Sequence, residues 1–210
     1  RQEKESRNLA YTGVGFALLL AGGFYSRWRF VNRSKKIIEK EKERSESLLL
    51  NILPEEIAKE LKQKGKSEAR DFDEVFILFT DFESFTKTSE KLNPKELVEE
   101  INTCFEYFDG LVGIHGIEKI KTIGDAYMAV GGLPKPLSDS AKRVVKAALE
   151  MQRFMINRYK DHTAKGLPAF RMRVGIHTGP VVAGIVGVKK FQYDIWGDTV
   201  NTAARRERSG

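Results

Sequence analysis

The stretch "KIKTIGDAYMAVGG", Lys119 to Gly132, decides how this chain is read. Two largely apolar runs, Glu118 to Thr122 and Tyr127 to Val130, flank the tight segment Ile123-Gly124-Asp125-Ala126, the pattern of a hairpin. An Asp beside a Gly in a bend is ordinarily turn chemistry, because Asp tolerates left-handed backbone and bonds its own main chain. Upstream, "EVFILF" (Glu74 to Phe79) is a short apolar run typical of a buried strand. Pro94 to Phe108 has helical spacing, with a first-turn Pro and Asn93 as N-cap. Downstream, Ser138 to Tyr159 forms a long amphipathic helix with Ala141, Val144, Val145, Ala148, Leu149, Met151, Gln152 and Met155 on one broad face. "FRMRVGIH", "VVAGIVG" and "FQYDIWG" read as three further strands, and Thr199 to Arg208 as a helix. The order strand, helix, hairpin, helix, strands predicts an α+β domain over residues 70–210, of the split βαβ, ferredoxin-like kind. Its helices are expected on one face of a mostly antiparallel sheet.

That topology makes the first strand central and sets it beside the hairpin. Asp81, at the end of "FILFTD", is then expected close to Asp125. Two carboxylates that each follow a buried strand form a pair suited to a hard divalent cation, with strand-end and turn capping as the plainer alternative. Mg²⁺ held by one or two carboxylates plus substrate phosphates is a design of nucleotide chemistry.

With 210 residues the chain has room for one domain and extras, and its net charge of +7 with pI near 9.4 raises nucleic acid as a partner. The excess is local, however. Arg27, Arg29, Arg33, Lys35, Lys36, Lys40, Lys42 and Arg44 face only Glu39, Glu41 and Glu43, beside the uncharged run Leu9 to Tyr25. The charge-free window is long enough to cross the hydrocarbon of a bilayer, so residues 9–26 are expected to form a transmembrane helix, with residues 1–8 outside. Arg27, Trp28, Arg29 and Arg33 then form a positive-inside flank, which makes the expected setting a single-pass inner-membrane protein with a cytoplasmic catalytic domain. Lipid headgroups account for the basic patch, and no nucleic acid is needed.

Residues 27–66 read as a cytoplasmic signalling helix. Ile38, Ser45 and Ile52 fall at heptad spacing with Leu49 on the intervening seam, which favours a parallel dimeric coiled coil over a solvated linker. The helix "PEEIAKELK" starts afresh at Pro54, and "KQKGKSEARD" marks the domain boundary. Cys104 is the only cysteine and is expected to be a buried thiol; "GPVVAGIVG" lacks the ending of a P-loop. A start at Arg1 and a stop after a helix lead us to expect a piece of a longer protein, truncated at the C-terminus.

Four motifs in order, "FILFTDFESFT", "EKIKTIGDAYMAVGG", "MRVGIHTGPVVAGIVG" and "FQYDIWGDTVNTAAR", resemble the class III nucleotidyl cyclases, the adenylate and guanylate cyclase catalytic domain, from about Asp73 to Gly210. "LLLNILPEEIAKELK" looks like the transducer segment of membrane-bound bacterial cyclases. The resemblance implies that Asp81, Asp125 and the backbone carbonyl of Phe82 hold metal, two Mg²⁺ or Mn²⁺ per site. It implies backbone amides of Phe85 and Thr86, and more weakly Arg173, at the phosphates; Lys121 and Asp194 at the purine; Asn201 on the ribose; and Arg205 at the pentavalent phosphorus. Guanylate cyclases carry Glu and Cys-like choices where Lys121 and Asp194 stand, so the expected substrate is ATP and the product 3′,5′-cyclic AMP. In the family one site draws its metal aspartates and its purine readers from opposite subunits, which implies a homodimer with shared active sites. Guanylate cyclase and a catalytically silent truncated module are the alternatives. Ser84 stands where the family usually has Gly, and Arg206 and Arg208 replace the usual Met and Ser.

Overall fold

A computed structural model describes the backbone of residues 2–187 and 191–209, and the side chains of residues 13, 22–187 and 191–209. The chain divides into two compact units, Arg1–Asn51 and Ile52–Gly210. The first is a single helix, α1 (Gln2–Leu50), whose apolar residues Phe24, Ile37, Ile38 and Leu48 are exposed. The run expected to cross a membrane, residues 9–26, lies mostly outside the described side chains, and among the described residues no helix is long and apolar enough to span a bilayer.

The second unit opens with α2 (Glu55–Lys64), which starts behind Pro54, buries Ile57 and Ala58 together with Leu53, and ends at Gly65 in left-handed backbone. A five-stranded sheet follows, made of β1 (Arg70–Glu83), β2 (Glu118–Ile123), β3 (Ala126–Gly131), β4 (Arg171–Val186) and β5 (Gln192–Trp196) in the order β2-β3-β1-β4-β5, with every neighbouring pair antiparallel. β1 (Arg70–Glu83) is central, as expected, and Val75, Ile77 and Leu78 are fully buried because both faces of the strand are covered. α4 (Pro94–His115) and α5 (Ser140–Ala164) cover one face, where Leu78 and Phe82 join Phe108, Val144 and Met151 in the main core. Asn93 caps α4 through a full capping box: its side chain accepts from the Glu96 amide, and the Glu96 carboxylate accepts from the Asn93 amide.

Three expectations are corrected. The helices do not all lie on one face: α6 (Asp198–Arg208) packs on the other, so tightly that a Cβ on Gly175 would come within 2.3 Å of the Glu207 amide nitrogen. "FRMRVGIH" and "VVAGIVG" are not separate strands but one, β4 (Arg171–Val186), running through Pro180. Pro180 is tolerated there because it faces a bulge: Phe72 pairs with Val181 and Val75 with Gly179, so Asp73 and Glu74 together oppose a residue that cannot donate to the ladder. The broad apolar face of α5 is wider than its buried stripe, since Val145 and Leu149 are exposed.

Candidate active site

The bend of the hairpin joins β2 (Glu118–Ile123) to β3 (Ala126–Gly131), with Ile123 paired to Ala126 and Gly124-Asp125 as a two-residue loop. Gly124 alone supplies the positive φ, at 63°, that such loops need. Asp125 is thereby relieved of the turn role that its neighbours suggested. β3 pairs with β1 from Phe76 to Thr80, which carries Asp81 to the bend. The Asp81 carboxyl and the Phe82 backbone N–H both lie near enough to Asp125 to act on its carboxyl. Burial and the adjoining Asp81 push the Asp125 carboxyl above the usual carboxylate range.

Asp81 is also opposite Arg173 across the β1–β4 ladder. Arg173 donates from Nη2 to Asp81 Oδ2 at 3.1 Å, and its Nε lies 3.1 Å from Glu207 Oε1. Glu207 is buried, and burial followed by the nearby Asp81 charge pushes its carboxyl upward. Sequence reading passed over Glu207. The signal that could have found it is spacing: Thr199, Ala203 and Glu207 recur every four residues along the buried stripe of α6, where an acid requires a partner.

Ser84 adopts φ 54°, ψ 35°, the left-handed backbone that explains why a glycine suits this position. Directly after it comes a short helix that the sequence did not suggest, α3 (Phe85–Ser89). Phe85 anchors it, with its ring 5.6 Å from Phe170 and 6.4 Å from Phe82. Phe85 and Thr86 therefore sit in a first helical turn, where amide N–H groups lack intrahelical acceptors and attract anions.

Lys121 and Asp194 stand on β2 and on β5 (Gln192–Trp196), the two ends of the strand order, yet Lys121 Nζ donates to Asp194 Oδ2 at 2.5 Å. The sheet curls enough to bring its ends together. The other Asp194 oxygen accepts from the Ile195 amide at 2.9 Å, so this buried carboxylate is fully partnered. Asn201 and Arg205 occupy one side of α6, four residues apart and away from its buried stripe, and both are exposed. Among the described residues, Arg205 Nη2 reaches only Thr202 Oγ1, at 2.9 Å, and Asp198, at 3.7 Å, on its own helix. The chain thus assembles two clusters, Asp81 with Phe82, Asp125 and Arg173, and Lys121 with Asp194, and directs Asn201 and Arg205 outward.

Comparison with known proteins gives the family. The model of the "Adenylate and Guanylate cyclase catalytic domain" family matches residues 67–210. The chain belongs to that family. An adenylate cyclase of Mycobacterium tuberculosis (strain ATCC 25618 / H37Rv) is 42% identical to this cyclase chain over 176 residues, covering 83% of the chain and 39% of the relative. The guanylate cyclase soluble subunit beta-2 of Rattus norvegicus is 43% identical over 170 residues, covering 81% of the chain and 24% of that subunit. The cyclase chain therefore spans well under half the length of either relative. Among solved structures, the catalytic core of a rhodopsin-guanylyl cyclase with converted specificity, in complex with ATPalphaS, superimposes with a TM-score of 0.62 at 33% identity, covering 68% of this chain and 76% of that one. These relatives include cyclases of both kinds, so family membership leaves the choice of purine to the residues of the cyclase site.

Proposed function

We propose that the protein is an adenylate cyclase that converts ATP to 3′,5′-cyclic AMP and pyrophosphate. The observation that carries this reading is the Lys121–Asp194 pair, a cationic donor and a carboxylate acceptor 2.5 Å apart. Adenine offers an acceptor at N1 and a donor at N6, which such a pair complements. Guanine offers the reverse, an acceptor at O6 and a donor at N1, and would leave polar groups mispaired.

The donor set near the bend fits a divalent ion. The protein supplies two carboxylates, Asp81 and Asp125, and leaves the remaining positions to backbone and phosphate oxygens, as Mg²⁺ prefers. Asp81, Asp125 and the Phe82 carbonyl would hold Mg²⁺ or Mn²⁺, two per site. When bound, the cations supply neutralisation of phosphate charge and acidification of the ribose 3′-hydroxyl. The chain's own groups do the rest. Backbone amides at Phe85 and Thr86 hold the phosphates, with Arg173 beside them. Asn201 orients the ribose, and the planar guanidinium of Arg205 takes up charge as the 3′-oxygen attacks the α-phosphorus in line and the bond to pyrophosphate breaks. No side-chain nucleophile is required.

Exposure of Asn201 and Arg205 supports a homodimer in which each chain completes its partner's site, giving two equivalent sites across an isologous interface. Exposed Ile37, Ile38 and Leu48 on α1 support a parallel coiled coil in the same dimer, and the uncharged window before Arg27 supports anchoring in the inner membrane, with the catalytic domain cytoplasmic. The test is turnover of ATP against GTP with Mg²⁺ or Mn²⁺, alongside Asp125→Ala. Cyclic AMP formed by the wild type and lost in the variant is expected. Preferential turnover of GTP, or unchanged cyclic AMP from Asp125→Ala, overturns the reading.

A further inference from the structure

Strict alternation along β2 would send Lys119 and Lys121 to the same face of the sheet. They point to opposite faces. Lys119 pairs with Ala129, whereas Lys121 pairs with Met128, so the register shifts by one residue and Ile120 is the extra one. Residues directly opposite in an antiparallel ladder share a face. Ala129 belongs to the core beneath α4 and α5, while Met128 is opposite Phe79, which is itself opposite Gly175 under α6. Without the bulge, Lys121 would pair with Tyr127, on the helix side, and Asp194 would remain buried without its cation.

β2 is the end strand of the sheet order, so its neighbour β3 holds its register through their ladder and the two-residue turn, and beyond the turn an edge strand slips when nothing pins it. Here a network on the helix face pins it. Lys119 Nζ donates to Asp109 Oδ2 at 2.7 Å, Tyr127 Oη donates to Asp109 Oδ1 at 2.6 Å, and Lys119 Nζ also lies 5.2 Å from the centre of the Tyr127 ring. Asp109 sits on α4 and Tyr127 is fully buried, so the network ties the edge strand to the rigid core. Burial and the Asp109 hydrogen bond raise the Tyr127 phenol well above its ordinary value, which keeps it a donor. None of these three residues faces the proposed nucleotide.

We propose that Lys119, Asp109 and Tyr127 are positioning residues that hold the Ile120 bulge in place, and thereby aim Lys121 at Asp194 and set the purine preference from the far side of the sheet. The inference rests on the adenine-reading role of Lys121 given above. The fold spends one residue of register to convert a surface lysine into a specificity determinant, a known use of bulges beside active sites.

The test uses the full chain with Lys119→Met, Asp109→Asn and Tyr127→Phe, and with Lys119→Arg as the conservative variant. Two measurements are made: kcat/KM for ATP and for GTP, and cross-strand nuclear Overhauser contacts between β2 and β3. The first three variants are expected to lower the ATP to GTP ratio about tenfold and to replace the Lys121–Met128 contact, wholly or in part, by Lys121–Tyr127, while Lys119→Arg retains both. Variants that lower the melting temperature but keep the ratio and the Lys121–Met128 contact overturn the proposal. A wild type that prefers GTP defeats the adenylate reading instead, and the contact measurement still decides whether the network holds the register.

Discussion

The hairpin end of the sheet and the outer side of α6 were both marked by motif in the sequence, and they are built in opposite ways. At the hairpin, Asp81, Asp125 and Arg173 interact within one chain, and Glu207 backs the arginine. On α6, Asn201 and Arg205 face outward, with Arg205 held by Thr202 and Asp198 on its own helix. Charge explains the contrast. Two clustered acids are costly unless a cation lies close, and Arg173 offsets that cost in the free chain. An exposed arginine is solvated and carries no such cost. In the proposed dimer, the two regions are half-sites of unequal completeness: the acid cluster is partnered within its own chain, and the outer side of α6 is left open to solvent.

The largest effects should come from breaking each half separately. Asp81→Ala or Asp125→Ala is expected to lower cyclase activity roughly 10³-fold, and Arg205→Ala roughly 10²- to 10³-fold. Equal mixing of Asp81→Ala with Arg205→Ala should then restore about a quarter of wild-type activity, because half the dimers are mixed and each has one intact site. Failure to recover activity on mixing would show that the halves do not belong to opposite chains. Next in size, Lys121→Ala should reduce the preference for ATP over GTP by about 10²-fold, read from kcat/KM for each nucleotide.

Smaller effects concern support. Glu207→Ala empties a buried position behind Arg173 and should destabilise the fold by about 1–3 kcal/mol, a fall in melting temperature of about 2–4 °C for each kcal/mol. An unchanged melting temperature would remove Glu207 from the scaffold of the acid pair. Smallest is a pH effect at the other end of β2. Burial, then the charge of Glu56, pushes the Glu118 carboxyl up to about 7 from its ordinary 4.5. A raised folded pKa means that the folded state binds the proton more tightly. The resulting stabilisation is complete below about 4.5 and is lost as pH rises to about 7. Glu118→Gln should flatten that slope and gain about 1–2 kcal/mol at pH 8, after discounting for partial exposure. Denaturation midpoints between pH 4 and 8 check it.

Much of this was legible in residue order. "EVFILF" announced a buried strand, Asn93-Pro94 announced the start of α4, and the bend at Gly124 announced the hairpin. The motifs also named every residue of the two clusters except Glu207. The bulges were not legible. Opposite Pro180, a bulge of two β1 residues lets β4 run on as one strand, and the shift at Ile120 turns Lys121 to the other face. In both places local propensity favours strand, and only the pairing partner decides the register.

What the sequence determined by itself was the hairpin and the long helices, the family, and the identity of the candidate acids, cations and proposed purine readers, because apolar periodicity and contiguous motifs are local properties of the chain. The tertiary structure alone decided which of those groups meet: Asp81 with Arg173, Lys121 with Asp194, Glu207 behind the acid pair, and Arg205 left facing solvent. The physical reason is that these contacts join residues as far as 92 positions apart, and they depend on sheet curl, bulges and the close approach of α6 over Gly175, none of which a local pattern encodes.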